Sequence, residues 1–312
     1  MFDDCPNLYK LDLSSNEIGY IGPNTFAAQT DMHHINLAGN QLSELNTNGT
    51  DFHSKTITYL YLQNNRLTSI RNGSFHELVT SYLYLQSNKI AYIESDAFFD
   101  CSIGYLYMTS NPMKYIRPYA FHTGSYNHIY LSGNEIRFIP TYAFSDIYGT
   151  TLDLSGNSIS YIETHAFQLS YTNLLLNSNG LQDILGSMFI SSTTTTLYLN
   201  DNLLTNLLPL TFSGLTTTKL RLDNNELAEY PSGALSLLNL RTIDLSNNKI
   251  SVVYDGAFDD EQQLEQLILD NNLITHLQVR IFQPPADAHL RTSTYVVAPR
   301  YMQVNPGTNT YK

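Results

Sequence analysis

The sequence predicts an α/β repeat solenoid with one strand per turn, and three observations predict it. The phrase Tyr59-Leu-Tyr61-Leu-Gln-Asn-Asn65 returns as Tyr82-Leu-Tyr84-Leu-Gln-Ser-Asn88, Tyr105-Leu-Tyr107-Met-Thr-Ser-Asn111 and His128-Ile-Tyr130-Leu-Ser-Gly-Asn134. Apolar residues alternate with tyrosine and stop at an asparagine, the period of a strand with one buried and one exposed face. The terminal asparagine then recurs as Asn16, Asn40, Asn65, Asn88, Asn111, Asn134, Asn157, Asn179, Asn202, Asn225, Asn248 and Asn272, spaced 22 to 25 residues apart. Finally, a phenylalanine lies about ten residues after most of these asparagines. An internal period of this length overrides a domain count made from length alone.

Each element follows from this register. Three residues before every marker asparagine lies Leu, with Met108 the exception, and five before lies Leu or Ile. Two after lies Leu, Ile or Met, so the apolar positions form a stripe that a single turn cannot bury and stacked turns can. The run Leu8-x-x-Leu11-x-Leu13-x-x-Asn16-x-Ile18 resembles the leucine-rich repeat pattern, and the match extends over roughly residues 8 to 282. The resemblance implies a horseshoe with a concave parallel sheet, an asparagine hydrogen-bond ladder along the turn, and a ligand-binding role for the concave face. Repeats this short resemble the extracellular class of the family rather than the longer, helix-bearing cytosolic one.

Phe26, Phe52, Phe75, Phe98, Phe121, Phe144, Phe167, Phe189, Phe212, Phe258 and Phe282 are expected to form a second buried column on the convex side, with Leu235 replacing Phe once. About ten residues remain for each return segment, too few for a full helix and a loop, so short turns or extended pieces are expected there. Eight positions before the asparagine, Thr80, Gly149, Thr194 and Thr217 stand in repeats closed up by a residue, and the Thr193 to Thr196 run is expected to start a strand. The eighth repeat, with Gly180 after Asn179, is where a kink is expected. The repeat domain is assigned to residues 1–282, beginning inside a partial repeat, and residues 283–312 to a cap or tail. The chain is expected to be a fragment of a longer protein.

Alternation places six-before and four-before side chains on the outer face of the sheet. Tyr59, Tyr61, Tyr82, Tyr84, Tyr105, Tyr107, His128 and Tyr130 then form one contiguous aromatic patch, the candidate ligand-binding surface. Tyrosine offers contact area with few rotors and a polar tip, although strand propensity and cross-strand stacking would also favour it. Tyr20, Tyr92, Tyr115, Phe138 and Tyr161 form an edge column expected to pack on itself, an oligomer contact being the alternative. Asp223, Asp244 and Asp270 beside Arg221 are expected to be a solvated acidic rim rather than a calcium site. Asn48-Gly-Thr50 and Asn72-Gly-Ser74 match the N-glycosylation acceptor pattern.

Other classes are disfavoured. A formal charge of -12 with scattered Lys and Arg argues against nucleic acid. No apolar run approaches the roughly 20 residues that span a bilayer, so a membrane would be reached only through segments outside this chain. Cys5 and Cys101 sit about 19 Å apart by strand spacing and are expected to be buried free thiols. The patterns of nucleophile elbow, phosphate loop or metalloprotease are absent, so neither enzymatic activity nor a cofactor or metal is expected. The expectation is a recognition or adhesion module, extracellular or at the cell surface, binding a protein or a glycan. An intracellular scaffold or regulator, cytoplasmic, and a self-assembling matrix component are the alternatives.

Overall fold

The computed structural model describes residues 5, 7–26, 32–45, 52, 54–184, 186–236, 238–254, 256–258, 263–276 and, for the backbone, 295–297. Asn48, Phe282, the expected partial repeat over residues 1–4 and most of 283–312 lie outside these. The chain is a parallel-sheet solenoid. One 14-stranded sheet takes a strand from each repeat in sequence order, from Lys10–Asp12 through Tyr59–Tyr61 to Gln266–Ile268. Tyr295–Val297 adds a further parallel strand beyond Gln266–Ile268.

Two devices hold the turns together. The inward Leu and Ile of each strand are buried, as in Leu60, Leu83, Leu106 and Ile129. The marker asparagines close the polar edge. Asn65 donates from Nδ2 to its own Leu62 carbonyl at 3.1 Å and to Leu37 of the preceding repeat at 2.9 Å, while its Oδ1 accepts the Leu42 amide at 3.0 Å. The same arrangement repeats to Asn272, so buried backbone groups in a non-repetitive turn all find partners. On the opposite side the phenylalanines stack into a column, Phe75 on Phe98 at 5.2 Å and Phe98 on Phe121 at 4.9 Å.

The α component expected for the fold is nearly missing: among the described residues the α-helix is Ser232–Leu235 alone. It lies where Leu235 replaces phenylalanine. Elsewhere the return segments are turns and two-residue strands, such as Tyr92–Ile93 paired with Tyr115–Ile116, because ten residues must cross the core thickness twice. No helix of the described residues is long and apolar enough to cross a membrane.

The middle of the solenoid departs further. Strands Phe121–Tyr130, Phe144–Asp153 and Phe167–Leu175 begin at the phenylalanine column and run without a break to the outward face. Gly149 allows this. A Cβ there would lie 1.9 Å from the Tyr126 carbonyl oxygen and 2.8 Å from the Tyr171 ring, and Tyr171 uses the vacated space to donate its hydroxyl to that carbonyl at 2.8 Å. Tyr126 in turn donates to the Phe98 carbonyl. Ser192–Tyr198 is a strand, as the threonine run implied. The register shift, between Ser145 and Ile147, lies where the strand of the eighth repeat pairs with that of the seventh, so the irregularity expected of this repeat falls on its entering side at the lost residue; onward pairing from Asn173 to Leu175 is continuous.

Candidate ligand-binding face

The alternation of each short strand puts its two outer side chains side by side, and parallel pairing in register puts like residues on top of one another. Tyr59 faces Tyr82 and Tyr61 faces Tyr84; Tyr82 faces Tyr105 and Tyr84 faces Tyr107; Tyr105 faces His128 and Tyr107 faces Tyr130. The eight residues singled out from the sequence are thus brought together on one surface. They do not splay. One column stacks as Tyr59, Tyr82, Tyr105 and His128 with centroids 5.2, 5.0 and 4.5 Å apart. The other stacks as Tyr61, Tyr84, Tyr107 and Tyr130 at 4.8, 5.1 and 5.1 Å. Adjacent rings across the columns lie 6.0 to 6.2 Å apart and nearly parallel. His34 extends the array, 5.1 Å from Tyr61.

Ring spacing close to the strand spacing leaves each face covered by its neighbour. What the array presents outward is ring edges and hydroxyls. All eight are half-buried, and the environment acts accordingly: burial, then the neighbouring phenols, raises the hydroxyl pKa of Tyr61, Tyr84 and Tyr107 above the usual tyrosine value. Burial likewise lowers the His34 and His128 imidazoles, which favours their neutral forms. Three buried polar atoms at the rings have no partner among the described residues: Gln63 Oε1, Gln86 Oε1 and His128 Nδ1. Along the entering side of the strands a groove of about 440 Å³ runs past Thr58, Ser81, Ser102 and Gly104 to Tyr82 and Tyr105.

Other expected positions are less uniform. Asp223 is not solvated: it is 5% exposed and clasped by Arg221 through Nε at 2.7 Å and an Nη at 2.8 Å, because residues two apart on a strand share a face. Cys101 is buried as expected, its Sγ–H directed to the Phe75 carbonyl at 2.6 Å, but Cys5, at the end of the described stack, is exposed. In the edge column Tyr20, Tyr115 and Tyr161 are largely exposed, with Phe138 stacked on Tyr161 at 5.7 Å. Asn72 is exposed, yet its Nδ2 donates to Ser95 O at 3.0 Å and Asp96 Oδ2 at 3.1 Å. A glycan on that nitrogen would leave one N–H for the two acceptors.

Sequence reasoning missed a second aromatic row on the return side. Tyr119 stacks on Tyr142 at 5.2 Å and Tyr142 on His165 at 5.9 Å; all three hold φ near 60°. His122 meets Asp96 at 2.6 Å in the same region. The available signal was an aromatic residue two before Phe121, Phe144 and Phe167, a position whose backbone would ordinarily suit Gly or Asn.

Comparison with known proteins bears on the fold. No curated protein matches the chain. Similar solved structures include the leucine-rich repeat domain of APL1B, at 19% identity over 91% of this chain and 90% of that one with TM-score 0.50. FLRT2, in an octameric complex with Latrophilin 3 and Unc5D, is similar at 20% identity over 83% and 79% of the chains, with TM-score 0.53. Toll of Drosophila, in its complex with Spatzle, is similar at 19% identity and TM-score 0.54; the match covers 88% of this chain and 41% of that one. The family model for the BspA type leucine rich repeat region matches residues 1–49, 47–174 and 91–214, and a leucine rich repeat model matches 216–274. With these matches over most of its length, the asparagine ladder and the stacked strands in place, the chain belongs to the leucine-rich repeat family.

Proposed function

We propose that this chain is a protein-binding module of a secreted or cell-surface recognition or adhesion protein, and that its ligand lies against the stacked tyrosines of the concave face. The observation that carries the reading is the double column itself. Eight aromatic residues lie in unbroken register on a sheet face that no other described element covers. Their core neighbours are the same leucines found in repeats without tyrosine. Pre-stacked rings have already lost their rotamer freedom, so a ligand that uses them loses little more on binding.

The arrangement favours protein over glycan. A sugar ring packs its C–H face on an aromatic face, and here the interior faces are occupied by stacking; a protein ligand can use edges and hydroxyls. The neighbours FLRT2 and Toll are described in complexes with protein partners, which supports the same class of function and an extracellular setting. A glycan found at Asn48 or Asn72 on the native protein would exclude the cytoplasmic alternative.

The test is Tyr61→Ser combined with Tyr84→Ser. Truncating central aromatic contacts typically weakens binding by about 2 kcal/mol or more, so binding of the tagged chain to ligand-bearing cells should fall at least about tenfold at unchanged circular dichroism. Unchanged binding would remove the tyrosine face from the argument, and loss of binding after glycosidase but not protease treatment of the cells would select a glycan.

A further inference from the structure

In a stacked column only the terminal rings keep a free face. Tyr130 ends its column: one face lies on Tyr107 at 5.1 Å, and the next position in register is Asp153, followed by Leu175. The outer face of Tyr130, a carboxylate and a half-buried leucine therefore occur in sequence over two strand spacings, roughly 9 to 10 Å.

The other carboxylates of the same column show what the fold does with such a position. Asp244 lies beside Arg221 in register, with Arg221 Nε 3.7 Å from its Oδ2. Asp12 is held below the usual carboxylate range by hydrogen bonds from Ser14, helped by Asn36 and the charge of Lys10. Asp153 receives the same serine bracket on Oδ1, from Ser155 N at 3.0 Å and Oγ at 2.6 Å. Among the described residues, however, it has no ion pair, and its hydrogen bonds fall on Oδ1 alone; its charge is felt by the Tyr130 phenol, whose pKa it helps burial to raise. Its neighbours in the column cannot supply a charge. A ligand can.

We propose that Asp153, the free face of Tyr130 and Leu175 together form the seat for an arginine side chain presented by a protein ligand. The guanidinium would lie over the Tyr130 ring, where the quadrupole attracts a cation, and direct its N–H groups at the Asp153 carboxylate. The aliphatic stem would cover Leu175. Arginine suits this better than lysine because it is planar, more weakly hydrated and able to stack and donate at once. An acidic chain, with 28 Asp and Glu against 16 Lys and Arg, adds long-range attraction for such a partner.

This inference rests on the tyrosine face being the binding surface, and the test separates the two. A displayed library of random octapeptides is selected on the wild-type chain, on Asp153→Asn and on the Tyr61→Ser, Tyr84→Ser variant. Asparagine keeps the Ser155 bracket and removes the charge. Arginine should be enriched at one position on the wild type and not on Asp153→Asn. A synthetic peptide from the wild-type pool should bind Asp153→Asn roughly two- to fivefold more weakly. Replacing its arginine with citrulline should produce at least that loss on the wild type, and on the variant only the smaller further loss of the cation's attraction to the Tyr130 ring. Pools without basic enrichment, enrichment that survives Asp153→Asn, or failure to recover any binder would each overturn the arginine seat. Peptides that depend on Asp153 but bind the tyrosine variant unchanged would keep the seat and refute the tyrosine face.

Discussion

Asn111 is the point at which the solenoid can be weakened most specifically. It is 4% exposed. Its Oδ1 accepts two backbone amides of the preceding repeat, Asn88 N at 3.2 Å and Ile90 N at 3.1 Å. Its Nδ2 donates most closely to Leu85 O and Met108 O, both at 3.1 Å, and more weakly to Thr109 O at 3.3 Å. The first two carbonyls also accept from Asn88 and Asn134, so replacing Asn111 by alanine leaves each with one partner. The two amides have no other. Each orphaned buried N–H costs about 1 to 3 kcal/mol, and two lost carbonyl bonds add about 0.5 to 1 kcal/mol each. Asn111→Ala should therefore destabilise the chain by about 4 kcal/mol. Asn16→Ala supplies the control, since the Asn16 amide is exposed and, among the described residues, donates to Leu13 O and Ser14 O alone; about 1 kcal/mol or less is expected. Urea unfolding at constant m-value measures both, and because repeat arrays can open in parts, hydrogen exchange at Asn88 and Ile90 should show the loss locally. Equal destabilisation by the two variants, or less than about 1 kcal/mol for Asn111→Ala, would refute the ladder as the source of this stability.

Gly149→Ala places a methyl 1.9 Å from the Tyr126 oxygen, a backbone atom that cannot swing aside, so a loss of about 3 kcal/mol or more is expected in thermal unfolding; Tyr171→Phe, which removes only the hydroxyl bond, should lose about 1 kcal/mol. Burial pushes the Cys101 thiol up to about 12, whereas Cys5 is exposed. At pH 8 a thiol reagent should label one cysteine rapidly in the folded chain and both in denaturant, and rapid double labelling of folded protein would contradict the placement of Cys101.

How far the structure could be read from the sequence depends on how many repeats a feature spans. The leucine positions, the marker asparagines and the phenylalanine column follow from one repeat and its copy, because burial and amide pairing recur with the same offset. The outward direction of the tyrosines follows from alternation within a single strand. The long strands of the middle, nine or ten residues each, do not. They depend on Tyr126, Gly149 and Tyr171 occupying the same offset in three successive repeats, so that one tyrosine can reach a carbonyl two repeats away. The alternation of bulky, absent and bulky at that offset was visible, but its meaning required the packing. Asp223 was placed correctly on the outer face and wrongly in solvent, because its arginine lies two residues back, at the end of the strand Lys219–Arg221.

The least legible feature is also the one that decides the chemistry of the face. A sequence can state that tyrosines point outward; whether their rings splay or stack depends on strand register and on the absence of twist large enough to part them. Splayed rings would offer eight aromatic faces and suit a glycan. With centroids 4.8 to 5.1 Å apart in the second column, the faces are consumed internally, and the surface becomes edges, hydroxyls and two column ends. On the proposed binding face, recognition by charge would then be confined to the ends, and Tyr130, whose next neighbour in register is Asp153, without an ion pair among the described residues, is the end where an arginine would find both a ring and a counter-charge.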